Sequence, residues 1–92
     1  MMQREFTIIN KVGLHARPAA KFVQFCKKAG GKITVAKGDK EVNATSITSV
    51  MQMGVHASDT IVVRVEADTK EQEEKTLDGL GELVENRFGE QE

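Results

Sequence analysis

The chain's only proline, Pro18, lies just inside what must be the start of a helix. Proline is tolerated in a helix only in the first turn, where its missing N–H has no intrahelical partner to lose. The preceding Asn10-Lys11-Val12-Gly13 is turn-like. From residue 16 to residue 29, Ala16, Ala19, Ala20, Val23 and Cys26 recur every three or four positions, with Lys21, Gln24, Lys27 and Lys28 off that face. Gly30-Gly31 ends the helix.

The flanking pattern agrees. Glu5-Phe6-Thr7-Ile8 alternates polar and apolar, as a half-buried strand does. Ile33 and Val35 alternate with Lys32 and Thr34, giving a second strand. Lys37-Gly38-Asp39-Lys40 is a hairpin-type turn into a short third strand around Glu41-Val42. Thr45 or Ser46 caps a short helix carrying Ile47, Val50 and Met51, ended by Gly54. Residues 60–65 form the clearest strand. Thr69 caps a last helix with acidic first turns (Glu71, Glu73, Glu74). Leu77, Leu80, Val84 and Phe88 form its buried stripe, in which Gly79 and Gly81 each cost about 1 kcal/mol relative to Ala. The order is β-α-β-β-α-β-α. It predicts an α+β fold with an antiparallel sheet covered on one face, and a single domain over residues 1–92.

Composition narrows the function. Thirteen basic and 14 acidic residues leave a net charge of −1, so nothing suggests a nucleic-acid or anionic-membrane binder. All four aromatic residues are Phe, which leaves no stacking platform for bases. Cys26, the only cysteine, excludes an internal disulfide and a cysteine-rich metal site. His15 and His56 have no ligand spacing with it, so no metal is expected. No apolar run approaches the roughly 20 residues of a membrane span, and Met1-Met2-Gln3-Arg4-Glu5 leads into no signal-peptide core. These features predict a cytoplasmic location without membrane insertion. His56, in the loop before the last strand, is read as solvated, and Cys26 as a small core residue.

The chemistry concentrates at His15. It sits where a helix begins, facing backbone N–H groups that have no helical acceptor, with the Arg17 guanidinium two residues on. Neutral imidazole is nucleophilic near neutral pH, and Arg17 offers a planar, permanently charged donor fork. This suits a histidine that accepts and hands on a phosphoryl group. The same spacing fits a histidine that merely caps a helix beside a solvated arginine.

Two segments separate these readings. Gly13-Leu14-His15-Ala16-Arg17-Pro18-Ala19 resembles the active-site motif of the HPr family, the histidine phosphocarriers of the bacterial phosphoenolpyruvate-dependent phosphotransferase system. Val42-Asn43-Ala44-Thr45-Ser46-Ile47, followed by Met53-Gly54, resembles the family's segment around its regulatory serine. The spacing between the two agrees, and the similarity spans residues 5–88. The resemblance implies an open-faced β-sandwich of four antiparallel strands under three helices. It implies that His15 carries the phosphoryl group on Nδ1, and that Ala16, Arg17 and Pro18 frame it. The group would come from phosphoenolpyruvate through enzyme I and pass to enzyme IIA proteins or domains of sugar permeases. No cofactor is implied, and a carrier of this kind has no independent turnover.

Ser46 matches the serine that an ATP-dependent kinase phosphorylates in many Gram-positive members. A serine kinase/phosphorylase and a transcriptional regulator are then further partners. Phosphate there would add about 1.5 to 2 negative charges at a helix N-terminus. The resemblance places docking on the face of the first helix and the short second one: Ala16, Ala20, Lys21, Gln24, Lys27, Ile47, Thr48 and Met51. Thr48 stands where the family usually has Met or Phe, and Ser49 where Gly or Lys is common; a threonine cannot supply the same apolar contact area. A nitrogen-related phosphotransferase branch, or a regulatory binding module read through phospho-Ser46, are the alternatives. A monomer is expected.

Overall fold

A computed structural model describes residues 1–90. Positions 91 and 92, part of the acidic tail and of the expected 1–92 domain, lie outside the described residues. The elements run β1 (Met2–Thr7), α1 (Ala16–Ala29), β2 (Lys32–Lys37), β3 (Lys40–Asn43), α2 (Ile47–Gln52), β4 (Thr60–Glu66) and α3 (Lys70–Glu85), followed by a short 3₁₀ turn (Arg87–Gly89). The order is the one expected from the sequence.

The four strands form one sheet in the order β1-β4-β2-β3, and every neighbouring pair is antiparallel. β4 is central, with Val63 opposite both Arg4 and Val35. The period of two puts Ile61, Val63 and Val65 into the core and Thr60, Arg64 and Glu66 into water. Helices cover the inner face, and the buried apolar residues form one cluster reaching from Phe6 to Phe88. The outer face is polar: Arg64 reaches Glu41 at 3.2 Å and Gln3 at 2.9 Å, and Thr34 donates to Glu41 at 2.7 Å. This is the open-faced sandwich that the resemblance implies.

Several local expectations are corrected. β1 begins at Met2 rather than Glu5, because pairing with β4 continues to Met2↔Val65 beyond the alternating stretch. On α1 the buried stripe is Pro18, Ala19, Phe22, Val23 and Cys26, while Ala16 is exposed and Ala20 half-buried. Phe22 supplies the bulk that the small-residue pattern lacked. Cys26 is in the core as expected, where burial pushes its thiol up to about 12. Of the two candidate caps for α2, Ser46 is the one: its hydroxyl accepts from Ser49 N–H at 3.4 Å, while Thr45 is held by the Asn43 carboxamide. Thr69 caps α3, accepting from Gln72 N–H at 3.1 Å.

α3 ends at Glu85, so Phe88 belongs to the turn that follows, although its ring is fully buried. Gly79 is explained by packing: a Cβ there would collide with the Phe25 ring. Glu73, in the acidic first turn of α3, is buried. Its carboxylate accepts Ala67 N–H at 2.9 Å, which holds its pKa below the ordinary carboxylate value. Among the described residues no helix is long and apolar enough to cross a membrane.

Candidate functional site

Residues 8–14 cross from β1 to α1 along the 54–59 loop that precedes β4. Ile8 and the 58–59 pair exchange hydrogen bonds: Ile8 N–H donates to Asp59 C=O at 2.9 Å, and Ser58 N–H to Ile8 C=O at 2.7 Å. Further on, Leu14 N–H donates to Val55 C=O at 3.1 Å. Gly13 has φ +64°, and a Cβ there would collide with the Val55 carbonyl, so both its backbone angle and its neighbours require glycine. Asn10 is fully buried inside this turn and donates from Nδ2 to Gly13 C=O at 2.7 Å. Leu14 is buried as the anchor of the segment.

His15 then emerges as the N-cap of α1, with extended backbone (φ −115°, ψ 153°). Its side chain is exposed and makes no capping hydrogen bond. Its carbonyl accepts the helix's first bond, from Ala19 N–H at 3.3 Å. Ala16 has φ +33°, a region that disfavours residues other than glycine and costs about 1–3 kcal/mol. Strain therefore falls on the residue next to the candidate nucleophile. The N–H groups of Ala16 and Arg17 have no helical acceptor, and Pro18, buried, has none to offer.

The Arg17 side chain is 76% exposed, and its Nη1 lies 4.0 Å from the Glu90 carboxylate. Lys21 donates to Phe88 C=O at 2.6 Å. The C-terminal turn, with Arg87, Phe88 and Gly89 all at positive φ, is thus folded back on α1. Lys21 is half-buried and tied to this turn, whereas Gln24 and Lys27 are exposed along the same helix. Beside α1 stands α2, which exposes Ile47 (41%), Thr48 and Met51 (38%), while Met53 is core. Ser46 is half-buried at the head of α2.

The residues singled out from the sequence thus divide into two groups. His15, Ala16, Arg17 and Pro18 meet at one point, the head of α1. Ala20, Lys21, Gln24 and Lys27 lie along α1, and Ile47, Thr48 and Met51 on α2. His56 is exposed as expected, yet its Cα lies against Gly13. Sequence reasoning missed Asn10, whose one signal was an asparagine opening a turn before glycine. It also missed the Lys37–Asp59 pair, for which there was no signal. Among the described residues, no three His, Cys, Asp or Glu side chains are grouped to hold a metal ion.

Residues 2–86 match the family described as PTS HPr component phosphorylation site. The phosphocarrier protein HPr of Xylella fastidiosa is 44% identical over 90 residues, covering 98% of each chain. The crystal structure of HPr-C-His from Thermoanaerobacter tengcongensis superposes with a TM-score of 0.91 at 41% identity, covering 100% of each chain. A phosphocarrier protein NPr from Shewanella violacea is 29% identical over 89 residues, 97% of this chain and 94% of that one. Three helices on one face of a four-stranded antiparallel sheet, with a histidine heading the first, are the build of a small phosphocarrier domain. The chain belongs to the HPr family of the phosphotransferase system.

Proposed function

We propose that His15 accepts a phosphoryl group from phospho-enzyme I and passes it to enzyme IIA proteins or domains of sugar permeases. The observation that carries this reading is the exposed, uncapped imidazole at the head of α1, with the Arg17 guanidinium on the same turn. Phosphoryl transfer asks a carrier for an in-line nucleophile and neutralised oxygens. The Nδ1 lone pair attacks phosphorus as the bond to the donor breaks, and the ring proton stays on Nε2. The N–H groups of Ala16 and Arg17 and the Arg17 fork receive the oxygens. Pro18 gives up no donor and fixes the direction of the turn. Exposure keeps the group available for the return step, as a reversible relay requires.

Docking is assigned to Ala16, Ala20, Gln24, Lys27, Ile47, Thr48 and Met51, with Lys21 contributing from its bond to the C-terminal turn. The apolar pair Ile47 and Met51, exposed on α2, with the exposed Lys27 on α1, suits acidic partner surfaces with an apolar centre. Threonine at position 48 offers less apolar area than a methionine would. Phosphorylation of Ser46 by an ATP-dependent kinase would break its bonds to Ser49 and set about 1.5 to 2 negative charges beside this patch, weakening docking. The carrier is read as a cytoplasmic monomer, and a dimer-sized elution volume would overturn the second part.

The test is transfer from phosphoenolpyruvate through purified enzyme I, read by intact mass. One acid-labile phosphate, lost in His15→Ala, is the expected result. A phosphate that survives His15→Ala overturns the assignment. Faster transfer from a nitrogen-type than from a sugar-type enzyme I would move the protein to that branch.

A further inference from the structure

The His15 side chain has no capping bond and stands in solvent, so no side-chain partner aims its imidazole, and the backbone beneath it sets the Cα–Cβ direction from which the ring departs. That backbone leans on the 54–59 loop. Leu14 N–H bonds Val55 C=O, and Gly13 lies against the Val55 carbonyl and the Cα of His56. The loop gives a fixed backing only if it is itself held.

Lys37, at the end of β2, holds it. Its ammonium donates to Gly54 C=O at 2.7 Å and lies 2.9 Å from the Asp59 carboxylate. The same Asp59 oxygen accepts His56 N–H at 2.8 Å, with His56 Nδ1 3.6 Å away. Gly54 and Asp59 bracket the stretch that touches Gly13 and Leu14, so one ammonium ties down both of its ends. The side chains are only 33% and 30% exposed, which shields the contact from full solvent screening. Lys37 is 22 positions from His15 in the chain and touches neither it nor Arg17 in any hydrogen bond or ion pair described above.

We propose that Lys37 and Asp59 are positioning residues for His15: through the 54–59 loop they fix the peptide of Leu14 and hence the aim of the imidazole. The proposal rests on His15 being the phosphoryl acceptor, and deepens that reading by naming what orients it. Because a near-attack geometry is sensitive to displacements of an ångström, loss of the clamp should slow transfer without touching the nucleophile.

The experiment compares wild type with Lys37→Met, Asp59→Asn and Lys37→Arg. A control, Arg64→Met, breaks the Arg64–Glu41 pair on the opposite face of the sheet. Two quantities are read well below the unfolding temperature. One is the His15 χ1 rotamer distribution from three-bond NMR couplings, which needs no partner protein. The other is kcat/KM for phosphoryl acceptance from enzyme I. One dominant rotamer is expected in wild type and averaging in Lys37→Met and Asp59→Asn, with kcat/KM down about tenfold. Lys37→Arg should keep the wild-type couplings, and so should the control. Wild-type couplings in Lys37→Met, or averaging already present in wild type, overturn the proposal. If wild type accepts no phosphoryl group, the function proposed above fails, and the couplings alone decide the clamp.

Discussion

α1 opens on His15, whose side chain makes no capping bond and stands in water. α2 opens on Ser46, whose hydroxyl accepts from Ser49 N–H at 3.4 Å and donates to the Ser49 hydroxyl at 3.0 Å. Both residues hold the same position in a helix, and the resemblance marks both for phosphorylation. The physical difference is what each side chain owes to the fold. Ser46 satisfies a helix end that would otherwise leave a donor unpaired. His15 leaves the head of its helix to the backbone and to the loop behind it, and so has an imidazole free to carry a group. On the proposed reading of His15, such a site is built by moving the structural work away from the reacting side chain.

The contrast breaks first at His15→Ala. Phosphoryl acceptance should disappear while stability to urea changes by no more than about 0.5 kcal/mol, as for an exposed side chain. A large stability loss would mean that the imidazole has a structural role after all. Next is Gly13→Ala, which meets both a positive φ and the Val55 carbonyl. A loss of about 2–3 kcal/mol in a urea titration is expected, and native stability would show that the backing loop yields. Ser46→Ala comes third. Loss of the cap should destabilise by about 1 kcal/mol while leaving acceptance from enzyme I near wild type, the reverse of the His15 signature.

The acid limb of stability sharpens the same picture. The Lys37 ammonium and His56 N–H hold the Asp59 carboxyl below its ordinary value of 3.8. A depressed folded pKa stabilises at pH above the unfolded value, and that contribution is lost as pH falls toward the folded one. The slope of stability between about pH 5 and pH 3 should therefore flatten in Asp59→Asn. An unchanged slope would show the Lys37 contact to be weak. The smallest effect belongs to Ala16→Gly. Relief of the positive φ should offset the added chain entropy, leaving stability within about 0.5 kcal/mol, whereas Ala20→Gly costs about 1 kcal/mol. Equal losses would remove the strain from the head of α1.

Much of the site was legible because its parts are near each other in the chain. The proline in the first turn, the glycine before it and the histidine between them specify a helix start by local rules, and the Ser46 and Thr69 caps follow the same rules. Phe22 carries no separate signal, because the small residues beside it already complete a helical face. Spacing puts Ala16 on that face, yet at the first residue of the helix the backbone is still off helical angles (φ +33°) and the side chain is exposed. The spacing of Phe88 continues the stripe from Val84 and so points to the end of a helix. The left-handed residues Arg87 and Phe88 bend the chain away and still deliver the ring to the core.

The sequence by itself determined the element order, the alternation that gives the sheet one wet face, and the four residues at the head of α1. All of these depend on neighbours within a few positions, where the periods of 3.6 and 2 operate. Tertiary structure alone decided what stands behind them. Lys37 reaches Gly54 across 17 positions and Lys21 reaches Phe88 across 67. Those bonds exist because the sheet sets the end of β2 beside the loop before β4, and because the turn after α3 returns to α1. No local pattern encodes such a meeting, since a lysine bound for a part-buried carbonyl looks in sequence like any solvated lysine.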